Sequence, residues 1–362
     1  MCNIGETVLD ITNLGWQNEY VKYIGQADNS EMEFGRVSFE NRGQYRLFTS
    51  DGEITAFIMG KMRYESESSV DLPVVGDWVS FKRLDGTPPS GMIYTILPRR
   101  SLFARKEPWS HNNIQPIASN IDIVFIVVGM DHDFNLPRIE RYLTLTWESN
   151  ARPVIILTKA DLCEDPEMRL HSAKEIAFNS DVIAISVVDE TGIDQLGKYL
   201  ACGTTIALLG SSGVGKSTLI NYLLGEEKQK TTEVRNDDSK GRHTTTNRQM
   251  IILPSGALMI DTPGMRELQL IDADEGFATV YQDIENLASD CRYTDCRHET
   301  EPGCAVIRAL KDGILDRKRV DNYRKLAKEI DYHDRKRNQG SALVERSKWK
   351  SIHKEMKNFK KG

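Results

Sequence analysis

No apolar run in this chain is long enough to cross a membrane as a helix. The longest, Ile121 to Met130, is broken by Asp122 and falls short of the roughly 20 residues a bilayer requires. The first ten residues, MCNIGETVLD, lack a basic segment followed by an apolar core, so no secretory leader is expected. Cysteine is scarce, six in 362 residues, which excludes a disulfide-stapled scaffold. In the cytoplasmic protein these absences imply, cysteines serve as metal ligands or free thiols rather than disulfides. Positive charge is not in excess either. Forty-seven Lys and Arg against 53 Asp and Glu leave a net charge of −6, which argues against indiscriminate nucleic-acid binding by the whole molecule. The average hides one local exception: from Arg308 onward, 18 Lys and Arg stand against 8 Asp and Glu.

The stretch that organises the chain is GSSGVGKST, comprising Gly210, Ser211, Ser212, Gly213, Val214, Gly215, Lys216, Ser217 and Thr218. It follows the apolar run Ile206 to Leu209 and opens into the amphipathic segment Leu219 to Leu224. Strand, glycine turn and helix with G-x-x-x-x-G-K-S spacing describe a phosphate-binding loop. Glycines permit backbone conformations in which successive N–H groups surround phosphates, and a helix N-terminus adds partial positive charge. Lys216 would reach the β- and γ-phosphates, and the Ser217 hydroxyl would ligate Mg²⁺.

The base is read elsewhere. Thr158-Lys159-Ala160-Asp161 ends the β-branched run PVIILT, where a carboxylate can accept from both the ring N–H and the exocyclic amine of guanine. Adenine would leave that carboxylate unpaired. About 25 residues on, Ile185-Ser186-Val187 ends another strand, where a backbone N–H can meet guanine O6. Both segments precede Gly210, whereas most GTP-binding domains place the phosphate loop first. A circularly permuted GTPase domain follows, since chain ends can sit at different surface loops of one sheet.

Two polar stretches after the loop read as nucleotide switches. In GRHTTTNRQMIIL, Thr245 or Thr246 should ligate Mg²⁺ and sense the γ-phosphate. In Asp261-Thr262-Pro263-Gly264, Asp261 can hold Mg²⁺ through water, and the Gly264 N–H can bond the γ-phosphate. The next residue is Met265, where GTPases often carry a water-orienting Gln. His243, in the first switch, is the candidate to position water in its place.

Cys291-x4-Cys296-x-His298-x5-Cys304 offers three thiolates and an imidazole within fourteen residues, the ligand set of a closed structural zinc site. Cys2, Cys163 and Cys202 are left over as packing or surface thiols.

These features sit in an ordered series. Residues 1–28 form a helical extension. Residues 29–113 alternate in short runs bounded by Gly, Asp-Gly or Pro, reading as an OB-type barrel and a polar linker. Arg36, Arg42, Tyr45, Arg46, Lys61 and Arg63 could give that barrel an RNA-binding face. Residues 114–275 alternate strand and helix as a doubly wound α/β domain. Residues 276–362 carry the cysteine set and a basic tail that could meet phosphates. The fold class expected is multidomain: an N-terminal OB-type β-barrel, a circularly permuted α/β P-loop GTPase domain and a C-terminal zinc-binding helical domain.

The motifs GRVSFENRGQYR, LPVVGDWV, TKAD, GSSGVGKST, GRHTTT, DTPG and the Cys3His set, in that order, resemble the circularly permuted GTPases that act on the bacterial small ribosomal subunit. That is the ribosome small subunit-dependent GTPase A family. The resemblance spans about residue 34 to residue 310. It implies GTP hydrolysis to GDP, stimulated by the small (30S) subunit and its rRNA during late maturation of that particle. A monomer needs no further assumption. Two other classes stay open at this point. One is a nucleotide-dependent RNA-binding module in which hydrolysis is incidental, a reading Met265 keeps alive. The other is an ATP-using phosphotransferase, against which TKAD argues.

Overall fold

The computed structural model describes residues 10–20, 32–41, 43–66, 68–106, 114–225, 248–261, 273–332 and 335. Among them, the first body is a five-stranded barrel. Its strands are β1 (Glu33–Asn41), β2 (Gln44–Thr49), β3 (Gly52–Ile58), β4 (Trp78–Leu84) and β5 (Ser90–Ile96), with a short helix α1 (Gly60–Glu65) between β3 and β4. The order β1-β2-β3-β5-β4 closes through β1–β4 pairing, and only β3 and β5 run parallel. Alternation drives closure. Val37, Tyr45, Leu47, Ile54, Ala56, Val79, Phe81 and Ile93 all point inward and are buried. Gly91 is required for this packing, because a Cβ there would lie 2.8 Å from the Phe81 ring.

Two residues expected on an RNA-binding face are in the core instead. Tyr45 lies within the barrel, and Arg36 is fully buried. The Arg36 guanidinium donates to the carbonyls of Gly76 (3.2 Å), Leu14 (2.5 Å) and Asn120 (2.9 Å), and lies 5.6 Å over the Trp78 ring. Burial pulls its pKa down to about 10, which still leaves it charged at neutral pH. A buried cation is tolerated when its donors are met, and here Arg36 stitches three segments together. Arg46 is half-exposed and paired with Glu53 at 2.9 Å, and Lys61 reaches Glu65 at 3.7 Å. Arg42 lies outside the described residues.

The described part of the N-terminal extension is more than an appendage. It forms two 3-10 turns, Ile11–Leu14 and Asn18–Tyr20, and buries Leu14 and Tyr20. Trp16 stacks edge-on against Trp78 at 4.8 Å and tilts against Phe34 at 5.3 Å. Its left-handed Gly15 (φ 81°) abuts Gly203 so closely that a Cβ would sit 2.5 Å from the Gly203 carbonyl. The adjacent turn also corrects an expectation about thiols. Cys163 is free, but Cys202 is disulfide-bonded, in a turn pressed against this N-terminal segment. Part of the segment expected as a polar linker is strand: β6 (Leu102–Lys106) pairs antiparallel with β7 (Ile114–Ser119).

The second sheet contains β8 (Ile123–Gly129), β9 (Arg152–Thr158), β10 (Asp181–Ala184), β11 (Thr205–Leu209), β12 (Arg248–Ile252) and β13 (Leu258–Asp261). Its order is β10-β9-β8-β11-β13-β12, parallel except for β12. Every residue of β8 is buried, as its unbroken IVFIVV run requires of a strand covered on both faces. Helices α2 (Leu136–Glu148), α3 (Pro166–Ile176) and α4 (Lys216–Leu224) link its strands. Strand β12 also pairs with β1, Phe39 opposite Gln249 and Glu40 opposite Arg248, which fuses barrel and domain into one eleven-stranded sheet. Strands β8, β9 and β10, the last two outside β8, lie on one side of β11 although the chain forms them before it, the order expected of a circular permutation.

The remaining α-helices among the described residues are α5 (Asp274–Val280), α6 (Gln282–Ala288), α7 (Ala305–Lys311) and α8 (317–332). They dock on α2 through a buried polar cluster. Glu140, 2% exposed, accepts from Arg319 at 2.7 Å and from the Asn322 amide. Asn322 also donates to the Tyr281 hydroxyl at 2.8 Å, and Arg319 is shared with Asp283 at 2.7 Å. Arg141 pairs with Glu329 at 2.6 Å. The close approach of α5 to α2 needs Gly276, where a Cβ would lie 2.2 Å from the Thr144 carbonyl.

Candidate nucleotide site and metal centre

The sheet gathers the expected motifs at one edge. Strand β11 runs into the loop Gly210–Thr218, its neighbour β8 is followed two residues on by Asp131, and β9 runs into Thr158–Asp161. Parallel strands present their carboxyl ends together, so residues about 50 apart in sequence become neighbours. The glycines of the loop do what the spacing requires: Gly210, Gly213 and Gly215 have φ of 156°, 79° and 93°. Val214 is buried and anchors the loop from below, while Ser212, Gly213 and Thr218 are exposed. Gly215 caps α4, so Lys216 and Ser217 form the first turn of the helix, where backbone N–H groups face the loop. The Lys216 ammonium folds back on its own loop, donating to the Gly210 carbonyl at 2.7 Å and to that of Ser211. An anion in the loop would draw it off those carbonyls, because a phosphate offers far stronger charge pairing.

The Thr158 hydroxyl is turned to the phosphate loop rather than outward. It donates to the Val214 carbonyl at 2.6 Å, and so couples the two motifs directly. Lys159 takes a left-handed conformation (φ 59°) and pairs with Asp131 at 2.7 Å. Burial works to raise the Asp131 carboxyl, but the Lys159 hydrogen bond and the Asp133 N–H outweigh it and hold it below the ordinary value. Ala160 ties this turn to β10's end, its N–H donating to the Ile185 carbonyl at 3.2 Å. Asp161 accepts from the Ser186 hydroxyl at 2.7 Å, and that hydroxyl in turn accepts from the Asp189 N–H at 3.1 Å. The Ser186 N–H is engaged with the Thr191 carbonyl at 3.0 Å. Among the described residues, the N–H of the next residue, Val187, makes no backbone hydrogen bond. A carboxylate held this way presents acceptors to a purine edge carrying two adjacent donors.

Asp261 ends β13, which runs parallel beside β11, so it lies at the same carboxyl end of the sheet from which the phosphate loop departs. His243, Thr245, Thr246 and Gly264 lie outside the described residues. Two residues escaped the motif reading. Asp131 lies in the loop after β8, and Arg138 on α2 donates to the Ser211 hydroxyl at 2.8 Å and to Asp133 at 2.6 Å. The available signal was position: β8 lies between the two motif-bearing strands, so the loop after it had to border the site.

The second centre is compact. Cys291, Cys296, His298 and Cys304 bring their ligand atoms within 4.8 Å of one another. The Cys291 and Cys304 sulfurs are 3.8 Å apart, and His298 Nδ1 lies 3.6 and 3.4 Å from them. A tetrahedron with metal–sulfur arms of about 2.3 Å has edges of about 3.8 Å, so the set fits a metal ion. Backbone N–H groups of Ala305 and Ile307 point at the Cys291 and Cys304 sulfurs at 3.3 and 3.4 Å, which favours thiolates. Burial lowers the His298 pKa and keeps the ring neutral, as a ligand must be. Its left-handed backbone (φ 59°) is held by Arg324, which donates to the His298 carbonyl.

Comparison with known proteins agrees with this geometry. A family model described as RsgA GTPase matches residues 96–271, and one described as 50S ribosome-binding GTPase matches residues 205–338. The small ribosomal subunit biogenesis GTPase RsgA of Opitutus terrae is 41% identical over 353 residues, covering 95% of this chain and 96% of its own. Its counterpart in Methanosarcina acetivorans is 40% identical, covering 96% and 92%. Among solved structures, YjeQ from Thermotoga maritima aligns with a TM-score of 0.60 at 25% identity, over 82% of this chain and 97% of that one. YloQ, described as a circularly permuted GTPase, aligns with a TM-score of 0.61 at 26% identity, over 84% and 97%. The permuted order of strands is therefore shared along with the residues, and identity at this level across nearly both full lengths places the chain in the RsgA GTPase family.

Proposed function

We propose that this GTPase binds the small ribosomal subunit and hydrolyses GTP in a subunit-stimulated manner during late maturation of that particle. One observation carries the nucleotide half of the reading. The Thr158 hydroxyl bonds the Val214 carbonyl at 2.6 Å, so the base-reading turn braces the phosphate loop although the chain visits them in reverse order. Asp161 and the Val187 N–H then read guanine, and Lys159 lies along the base with its ammonium on Asp131. The loop N–H groups of Gly210–Thr218 and Lys216 hold the phosphates. Ser217, Asp261 and Thr245 or Thr246 would hold Mg²⁺, which supplies charge to offset that developing on the transferred phosphoryl oxygens. The Gly264 N–H meets the γ-phosphate, and His243 orients water where Met265 cannot.

The Cys3His set holds one structural zinc, since thiolates and imidazole leave no open position for chemistry. Within and after this set in the chain, Arg292, Arg297, Arg308, Lys311, Arg317 and Lys318 are exposed, cations of the kind an rRNA backbone attracts. One copy of the chain contains every residue named for nucleotide and metal, so the monomer is the working unit, in the cytoplasm. The test is GTP turnover by purified protein with and without isolated small subunits, with ATP as control. A large stimulation specific to GTP is expected. Equal turnover with and without subunits would remove the ribosomal half and leave a guanine-nucleotide enzyme with another partner.

A further inference from the structure

We infer that Arg138 is a positioning residue for hydrolysis, acting through Ser211 on the phosphate loop. The inference rests on reading Gly210–Thr218 as the loop that holds the phosphates.

Arg138 is fixed before it reaches the loop. It is the third residue of α2, whose N-cap Asn135 accepts from the Arg138 N–H at 3.0 Å and whose second residue is Pro137. Its Nη1 donates both to Asp133 at 2.6 Å and to the Ser211 hydroxyl at 2.8 Å. Ser211 is also the residue whose carbonyl receives the Lys216 ammonium. The cation on α2 therefore holds, through one hydroxyl, the loop residue that governs where the phosphate-binding lysine rests.

The other Asp133 oxygen is buried and has no hydrogen-bond partner among the described residues. Asp133 can thus take the guanidinium in two-pronged fashion once Ser211 releases it, as planar guanidinium–carboxylate pairs favour. The bridge is a shared donor with two resting places, one of which lets the loop move. Helix α2 also carries Glu140 half a turn further on, the buried anchor for Arg319 of the metal-bearing module. A shift of that module against α2 would reach the loop through the same helix end.

The experiment measures kcat and KM for GTP, with and without small subunits, on full-length Arg138→Ala, Ser211→Ala and the double variant, with Lys216→Ala as control. Losing one charge-assisted hydrogen bond that shapes the transition-state geometry is expected to lower kcat about tenfold in each single variant, with KM changed less than about threefold. The double variant should be no more than about twofold worse than either single one, because both remove the same contact. Arg138→Lys, which can reach one partner but not fork between two, should recover kcat in part. Independent multiplication of the two effects, or kcat within about twofold of wild type in Ser211→Ala, would overturn the inference. Ser211→Ala removes only a hydroxyl, so it decides the matter even if Arg138→Ala fails to fold. Should Lys216→Ala also leave GTP binding intact, the loop assignment itself is at fault.

Discussion

Asp161→Asn should convert the protein from a guanine to a xanthine binder. Guanine presents two donors to Asp161, its ring N–H and its 2-amino group, each able to form a charge-assisted hydrogen bond. Such bonds contribute about 1.5–3 kcal/mol apiece. The orientation of the replacement is set by Ser186. An ionised carboxylate can only accept, so the Ser186 hydroxyl, which accepts from the Asp189 N–H, donates its proton to Asp161 Oδ1, 2.7 Å away. In the variant that donation pins the amide oxygen at the Oδ1 position and turns the NH₂ toward the 2-amino group of guanine. Donor then faces donor. Losing even the lower figure for both bonds predicts a GDP affinity reduced by about 10²-fold or more. Xanthine carries a carbonyl where guanine carries the amine, and it accepts from the same NH₂. Affinity for XDP should rise correspondingly. Titration of fluorescent GDP and XDP analogues against wild type and variant reads both arms. Retention of GDP affinity within about threefold would refute the assignment of Asp161 to the base, and loss of both ligands would point to a structural role in the Asp161–Ser186 pair.

Other perturbations test different links. Gly276→Ala places a Cβ 2.2 Å from the Thr144 carbonyl, so α5 and α2 must part by about 1 Å. Overpacking of this kind costs about 1–3 kcal/mol, and urea denaturation should show the metal-bearing module loosening first; an unchanged midpoint would mean that contact is slack. Chelation of the metal should unfold the 291–304 segment, read by proteolysis at Arg292 and Arg297, while leaving GDP affinity within about twofold. Equal protease resistance with and without chelator would show that the thiols pack without an ion. Asp131 has a folded pKa held below its unfolded value, so its pairing with Lys159 adds stability above the ordinary carboxylate range, lost as pH falls through the folded value. Acid unfolding followed by circular dichroism should therefore be shallower below about pH 4 in Asp131→Asn; identical slopes would mean the Asp131 carboxylate gains nothing from Lys159.

What could be read from the sequence alone was what periodicity and spacing encode. Strand β8 is a buried run with no polar interruption and so had one plausible home. The alternating segments from Phe34 onward closed as a barrel because a one-face pattern over five short strands has few other solutions. The glycine spacing of Gly210–Thr218 and the cysteine–histidine spacing of the metal centre survive into geometry because each is set by an ion or an anion of fixed size. Charged residues acting singly leave no such trace. Arg36 looked like an exposed cation on a barrel strand, yet it is buried among three carbonyls, and Glu140 on α2 is buried against the metal-bearing module. In both cases the partners come from far along the chain, Asn120 for Arg36 and Arg319 for Glu140, so only the assembled fold pairs them. Arg138 belongs to this class: a lone arginine in the first turn of a helix is common, and it matters here because β8 delivers that turn beside the phosphate loop. Motifs locate the chemistry, and these unpatterned long-range pairs hold the separate segments in register with it.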